Sequence, residues 1–272
     1  MKLIGIGRRF VSIWAAVIGL CVAAGAGGAS PYQDTFSDGQ INTGRANVFT
    51  VLTQFSDTIR NGSVVQGNIG IDQGTFTLTE ESDVFGDLLY HTGAMIDISR
   101  GSKVHGTIFS DDPLIDSALM DAQSLSGAAR MEPVTPRYAD LTSVNLDGSS
   151  LTISGGANEK VVLKLTNFIL TNHSIFTLSG TATTAFIINV RNTFSLTSNS
   201  AISLLNVPAS NVLFNIRGAG TIVQLRGGST MSGTLLALRR NVRIRGGSKV
   251  VGRVIAYRNI AINSSLTPTT NR

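Results

Sequence analysis

Ser63-Val64-Val65-Gln66-Gly67-Asn68-Ile69, Ser82-Asp83-Val84-Phe85-Gly86-Asp87-Leu88 and Ser102-Lys103-Val104-His105-Gly106-Thr107-Ile108 are one phrase written three times. Each reads serine, any residue, apolar, any residue, glycine, any residue, apolar. The phrase returns late in the chain as Ser229-Thr230-Met231-Ser232-Gly233-Thr234-Leu235 and Ser248-Lys249-Val250-Val251-Gly252-Arg253-Val254. Its glycines step by 19 from Gly67 to Gly86, by 20 from Gly86 to Gly106 and by 19 from Gly233 to Gly252. A fixed step of this length marks a stacked repeat, in which each unit covers the next.

Between the glycines, apolar residues alternate with polar ones. Phe76 and Leu78 alternate with Thr75, Thr77 and Thr79; Ile96 and Ile98 alternate with Asp97 and Ser99. The habit continues at Phe186, Ile188, Val190, at Phe194, Leu196, at Val242, Ile244 and at Ile260, Ile262. Alternation over a few residues means short strands with one buried side. Three such strands per repeat, turned at Gly and Asn, make one coil of a parallel β-helix, whose coils hydrogen-bond to those above and below. An antiparallel sandwich would also alternate, but it would not need the same phrase at the same step. The fold expected is therefore all-β: a parallel β-helix (solenoid) over 45–264. One helix flanks it. Asp112-Pro113 opens the spacing Leu114, Ile115, Ala118, Leu119, Ala122, Leu125, Ala129, a capped amphipathic helix over about 112–130. Residues 131–150, with Pro133 and Pro136, read as the connection back into the stack.

The ends read differently. Lys2, Arg8 and Arg9 precede an apolar run from Phe10 to Ala24 and then small residues, the layout of a signal peptide over 1–29. Cys21, the one cysteine, lies in that run, so a processed chain has no disulfide and must rest on its core. Residues 30–44 form a lead-in and 265–272 a polar tail. Charge is divided along the chain. All 17 acidic residues fall between Asp34 and Glu159; residues 31–159 hold six basic ones, whereas 160–272 hold 13 basic residues and no acid. The pI near 9.7 hides this polarity.

One stretch carries a family resemblance. Thr183-Thr184-Ala185-Phe186-Ile187-Ile188-Asn189-Val190, then Asn211-Val212-Leu213-Phe214-Asn215-Ile216, then Ser232-Gly233-Thr234-Leu235-Leu236-Ala237 and Gly252-Arg253-Val254-Ile255-Ala256, resemble the ice-binding-like β-solenoid family. Asn47-Val48-Phe49 and Gly67-Asn68-Ile69-Gly70 resemble the opening of the related bacterial choice-of-anchor A surface proteins. The resemblance covers most of 45–262. It implies a right-handed β-helix with a helix packed alongside, on a secreted or surface-displayed protein, and ice binding for part of the group. This chain lacks the sorting signal usual in choice-of-anchor proteins.

Two contact surfaces compete. Arg191, Arg217, Arg239-Arg240 and Arg258 each follow a family-like strand, and in register they would line one corner about 5 Å apart. Arg226, Arg243 and Arg245 would lie on the next face, and Asp72 and His91 hold the comparable corner in the acidic half. Such a column attracts an extracellular anionic polymer, polysaccharide or similar. It could instead be neutralised internally by the acidic half or by Asp116 and Asp121 of the helix, or serve head-to-tail self-association. With Tyr257 as the nearby aromatic, base stacking has no support, so no specific nucleic-acid partner is expected. The alternative is an ice surface met by a flat Thr/Ser face: Thr75, Thr77, Thr79, with Thr177 and with Ser195, Thr197. Arg243 and Arg245 occupy the rows wanted next.

Catalysis has little footing. A glycosidase needs paired carboxylates, and Asp111-Asp112 reads as a helix cap while Glu80-Glu81-Asp83 reads as a solvated corner. His91, His105 and His173 have no metal spacing, and no glycine loop between strand and helix offers a phosphate site. Neither cofactor nor metal is expected. The sequence favours a secreted or surface adhesion protein contacting anionic polymers, with ice binding second.

Overall fold

The computed structural model describes Phe36, residues 40–220 and residues 222–268; the leader read over 1–29, Cys21 included, and most of the lead-in lie outside the described residues. Every strand pairing among them is parallel, and the coils have three sides. Face 1 ladders 160–165, 185–190, Val212–Ile216, 234–237, 254–256, Phe49–Thr53, Asn68–Ile71, Leu88–Tyr90 and Ile108–Ser110. Face 2 runs from Val144–Asp147 through 242–245 and Asp57–Ile59 to Met95–Ile98. Face 3 runs from Ser150–Ser154 through 249–251 and Val64–Gln66 to Lys103–Val104.

The order of coils in space is not their order in sequence. The chain starts in mid-stack at Phe49–Thr53, climbs to one end at Ile108–Ser110, crosses back along the flank, and starts again at the far end with Val144–Asp147. It then climbs until its last coil pairs with its first. The seam is Val51↔Val254, Asp57↔Ile260 and Val64↔Ser265. The strand Ile260–Thr267 places Ser265 and Leu266 in this seam and pairs Thr267 with Val251, rather than leaving them in the expected tail, with Leu266 fully buried.

The repeated phrase is one side of the triangle with both its corners. Its serine is buried at the corner of faces 2 and 3. There Ser63 N–H donates to Ser82 Oγ at 3.1 Å and Ser82 N–H to Ser102 Oγ at 3.0 Å, one coil to the next. Ser229 and Ser248 donate back to the carbonyls three residues earlier, at 2.8 and 2.9 Å. A hydroxyl there satisfies a backbone group that the corner removes from the ladder. The glycine sits at the corner of faces 3 and 1, where coils touch backbone to backbone: a Cβ on Gly252 would lie 1.9 Å from the Gly233 oxygen.

Inside, one apolar column fills the triangle. Phe168, Phe176, Phe194 and Phe214 meet with centroids 4.9 to 5.6 Å apart. Asp57 is the exception. It occupies an inward position opposite Ile260 and Phe76 and is fully buried. Neither carboxyl oxygen has a well-formed hydrogen bond. Burial pushes its pKa up to about 8, the Thr58 N–H offsetting only part of the effect.

Face 1 is covered. Helix α1, Leu114–Met131, buries Ile115, Ala118, Leu119, Ala122, Leu125 and Ala129 against outward Leu52, Ile187, Leu213, Leu236 and Ile255. Strands buried on both sides read as continuous apolar runs, which is why Ala185-Phe186-Ile187-Ile188 does not alternate. Asp112 Oδ1 accepts the Leu114 N–H at 2.8 Å, capping the helix as the sequence indicated. Asn189 and Asn215 of the sheet donate to the Ala129 and Ser126 carbonyls of α1 at 2.8 and 3.1 Å, fixing the helix on the stack.

Candidate binding faces and a basic cleft

With face 1 under the helix, faces 2 and 3 are open. On face 3 the outward side chains of three successive rungs are Ser150, Thr152, Ser154, then Ile175, Thr177, Ser179, then Ala201, Ser203, Leu205, in register. Thr230 continues the first column and Lys249 follows it. From the end of the stack up to Lys249 these positions carry no charge. Rungs stand about 4.8 Å apart and alternate residues along a strand about 6.7 Å apart. The strands are held from beneath by buried Ile153, Phe176, Leu178 and Ile202. The result is a regular, uncharged lattice of hydroxyls and apolar groups on a packed floor. It can meet an ordered surface without stripping water from a charge, a step that is costly.

Face 2 is broken in its middle. Ser195 pairs with Gln224, Gln224 with Arg243, and Arg243 with Ala261, with Thr58 and Thr77 beyond the seam. Arg245 lies beside Asn263. Arg60, Arg243 and Arg245 line a shallow groove of about 280 Å³ with Ala261 and Asn263. The ice-face set expected from sequence therefore does not assemble. Thr75 and Thr77, with Thr79 just beyond their strand, lie on face 2 toward one end. Ser195 and Thr197 lie on the same face beyond the arginine band, and Thr177 is on face 3. The period-two pattern could not assign strands to faces, because each coil has two outward sides of similar composition.

The arginine column also separates. Arg226, Arg243 and Arg245 are exposed on face 2, as expected. Arg191, Arg217 and Arg239 stand at the corner of faces 1 and 2, and Arg258 is exposed at that corner, its carbonyl accepting Thr53 Oγ1 at 2.8 Å. Arg240 leaves the column. It is buried, donating to the carbonyls of Gly218 at 2.9 Å and of Arg191 and Arg217 at 2.8 Å each, and to that of Asn192. It is a structural staple of three coils, its forked donors reaching the carbonyls of Arg191 and Asn192 on one coil and of Arg217 and Gly218 on the next.

Three of the remaining corner arginines form a site that sequence order hid. Arg191, Arg217 and Arg239 meet Arg130 of α1 around a cleft of about 620 Å³, walled by Leu238 and Tyr257. Partial burial and then the positive charges of Arg130 and Arg191 push the Arg217 pKa down. The Tyr257 hydroxyl is tied to the Leu119 carbonyl at 2.5 Å, and burial raises its pKa to about 12. The acids of the helix do not neutralise this group. Asp121 accepts the Arg45 N–H at 2.7 Å, and Asp116 faces His91 at 3.9 Å.

Coil stacking gathers one more cluster. His91 Nδ1 lies 2.8 Å from Asp72 Oδ1, one coil below, and its Nε2 faces Asp116. The three could offer ligand atoms within 4.8 Å of one another. Each ring nitrogen, however, already faces its own carboxylate, so the arrangement clamps the first turn of α1 to the stack. The 19-residue step joining Asp72 to His91 was visible; the helix's share was not.

A family model for an ice-binding-like adhesive domain matches residues 22–260. A curated relative, an ice-binding protein of Nostoc sp. (strain HG1), is 28% identical over 187 residues, 66% of this chain and 61% of the relative. Among solved structures, the ice-binding protein of the Antarctic ascomycete Antarctomyces psychrotrophicus superposes with a TM-score of 0.56 at 18% identity, covering 85% of this chain and 98% of that one. An ice-binding protein from an Arctic yeast gives 0.56 at 18% identity over 85% and 94%. At these identities the structural likeness is one of fold. The family match carries the ice-binding-like half of the resemblance; the choice-of-anchor A half rests on the sequence phrases alone.

Proposed function

Because this chain belongs to the ice-binding-like adhesive domain family, we infer that it is a non-catalytic binding module exported from the cell, and that face 3 is its contact surface and ice its ligand. The single observation that carries this reading is the uncharged array of Ser150 to Leu205, three rungs deep, in register and uncovered. The name of the Nostoc relative points to the same ligand. Ice, second to anionic polymers when the sequence is read alone, becomes the first reading, because an uncharged face exists and the arginines lie elsewhere. Thr152, Thr177 and Ser203 form its central column, while Ile175 and Leu205 supply apolar contact at its edges. An export leader over 1–29 fits a protein that meets ice or a surface outside the cell.

The test is ice recrystallisation inhibition by the purified protein beside Thr177→Arg. Inhibition by the parent and its loss in the variant are expected. Equal inhibition by both would move the site off face 3, and no inhibition by the parent would end the ice reading.

A further inference from the structure

Four guanidiniums around one cleft, with no carboxylate among them, are an unbalanced arrangement. Among the described residues, no ion pair or hydrogen bond engages the guanidinium of Arg130, Arg191, Arg217 or Arg239. Like charges so placed repel one another, and at Arg217, which is partly buried, solvent screens that repulsion less. Long arginine side chains on an open surface would spread apart. Here α1 and three successive coils bring them to the lining of one cleft, and Arg240 fixes the backbone that carries Arg191 and Arg217 through their carbonyls.

We propose that this cleft binds an acidic saccharide, one sugar oxyanion seated among Arg130, Arg191, Arg217 and Arg239 and the sugar ring lying against Tyr257. Guanidiniums hold a carboxylate or sulfate through paired N–H donors. The volume of about 620 Å³ exceeds what a lone inorganic ion fills and suits a short run of sugar units. Tyr257, whose hydroxyl is already engaged, offers a ring surface rather than a polar contact. The cleft lies at the corner of faces 1 and 2, away from face 3, so its occupancy is independent of ice contact. The module would thus hold a charged extracellular matrix by its corner while face 3 stays free.

Calorimetric titration tests this with tetragalacturonate, which brings carboxylates, and a sulfated tetrasaccharide, with a neutral tetrasaccharide and inorganic sulfate as references. One of the two anionic saccharides should bind at a single site, more weakly as salt rises. Arg191→Gln with Arg217→Gln should weaken it about tenfold or more, and Arg130→Gln alone about threefold. Arg243→Gln with Arg245→Gln, on face 2, should leave it unchanged. Absence of binding by both saccharides would overturn the proposal. So would equal loss from the two arginine pairs, or inorganic sulfate binding as tightly as the saccharide. Circular dichroism of each variant separates lost binding from lost fold, and recrystallisation inhibition should be the same in all of them.

Discussion

Faces 2 and 3 are cut from the same coils and share one core, yet they offer a partner different things, and on face 2 Ser195 and Thr197 are themselves buried. Face 3 carries Thr152, Thr177 and Ser203 in one column with neutral neighbours. Face 2 carries Ser195, Gln224, Arg243, Ala261, Thr58 and Thr77 in the corresponding column. The scaffold fixes spacing on both; composition alone separates them. A regular solenoid supplies a lattice wherever it is uncovered, and the outward residues decide whether that lattice is a contact surface.

The comparison breaks most directly at the centre of face 3. Thr177→Arg with Ser203→Arg should lower recrystallisation inhibition more than about tenfold without changing the circular dichroism spectrum, because the substituted positions point away from the core. Next in size is the floor shared by both faces. Phe168→Ala removes the ring that touches Phe176, Phe194 and Phe214 and should cost about 3–5 kcal/mol in denaturant unfolding.

A second effect on stability belongs to the seam. The fold holds Asp57 neutral while the unfolded chain ionises at the ordinary value, so its contribution is full below pH 3.8 and is lost as pH rises toward about 8. Melting temperature should fall across that window, and Asp57→Asn should flatten the fall. The same slope in parent and variant would place the titrating group elsewhere. The smallest changes come from the borders. Lys249→Thr would join the uncharged array to the neutral positions Ser265, Thr267, Val64 and Gln66 beyond it, as far as Asp83, and should raise inhibition by about twofold, whereas Arg243→Thr with Arg245→Thr on face 2 should leave it within about twofold.

Much of the stack was legible in the sequence because the Ser-to-Gly phrase reports both corners of one side: a hydroxyl buried at one and backbone contact at the other. Helix α1 announced itself through its Asp112 cap and its 3.6-residue stripe. The route of the chain was hidden. Parallel pairing of Val51 with Val254 bridges nearly the whole chain, and local periodicity has no term for it. The split of charge along the sequence concealed a related fact: the arginine-bearing coils sit in mid-stack, paired at the seam to the first coil. Thr177 was read together with Thr75 and Ser195, since alternation tells inside from outside but not one outer face from another. The basic cleft needed Arg130, which lies in the helix and far from its partners in sequence. Arg240 looked like its neighbour Arg239, and only the carbonyls that two other coils turn toward Arg240 separate the buried staple from the exposed charge.

The most direct test of the central claim is adsorption of fluorescently labelled protein to a single ice crystal, with parent, the Thr177→Arg/Ser203→Arg variant and the Arg243→Thr/Arg245→Thr variant compared side by side. Labelled ice from the parent and the face 2 variant, with dark ice from the face 3 variant, is the predicted result. Labelled ice from the face 3 variant, or dark ice from the parent, would contradict it.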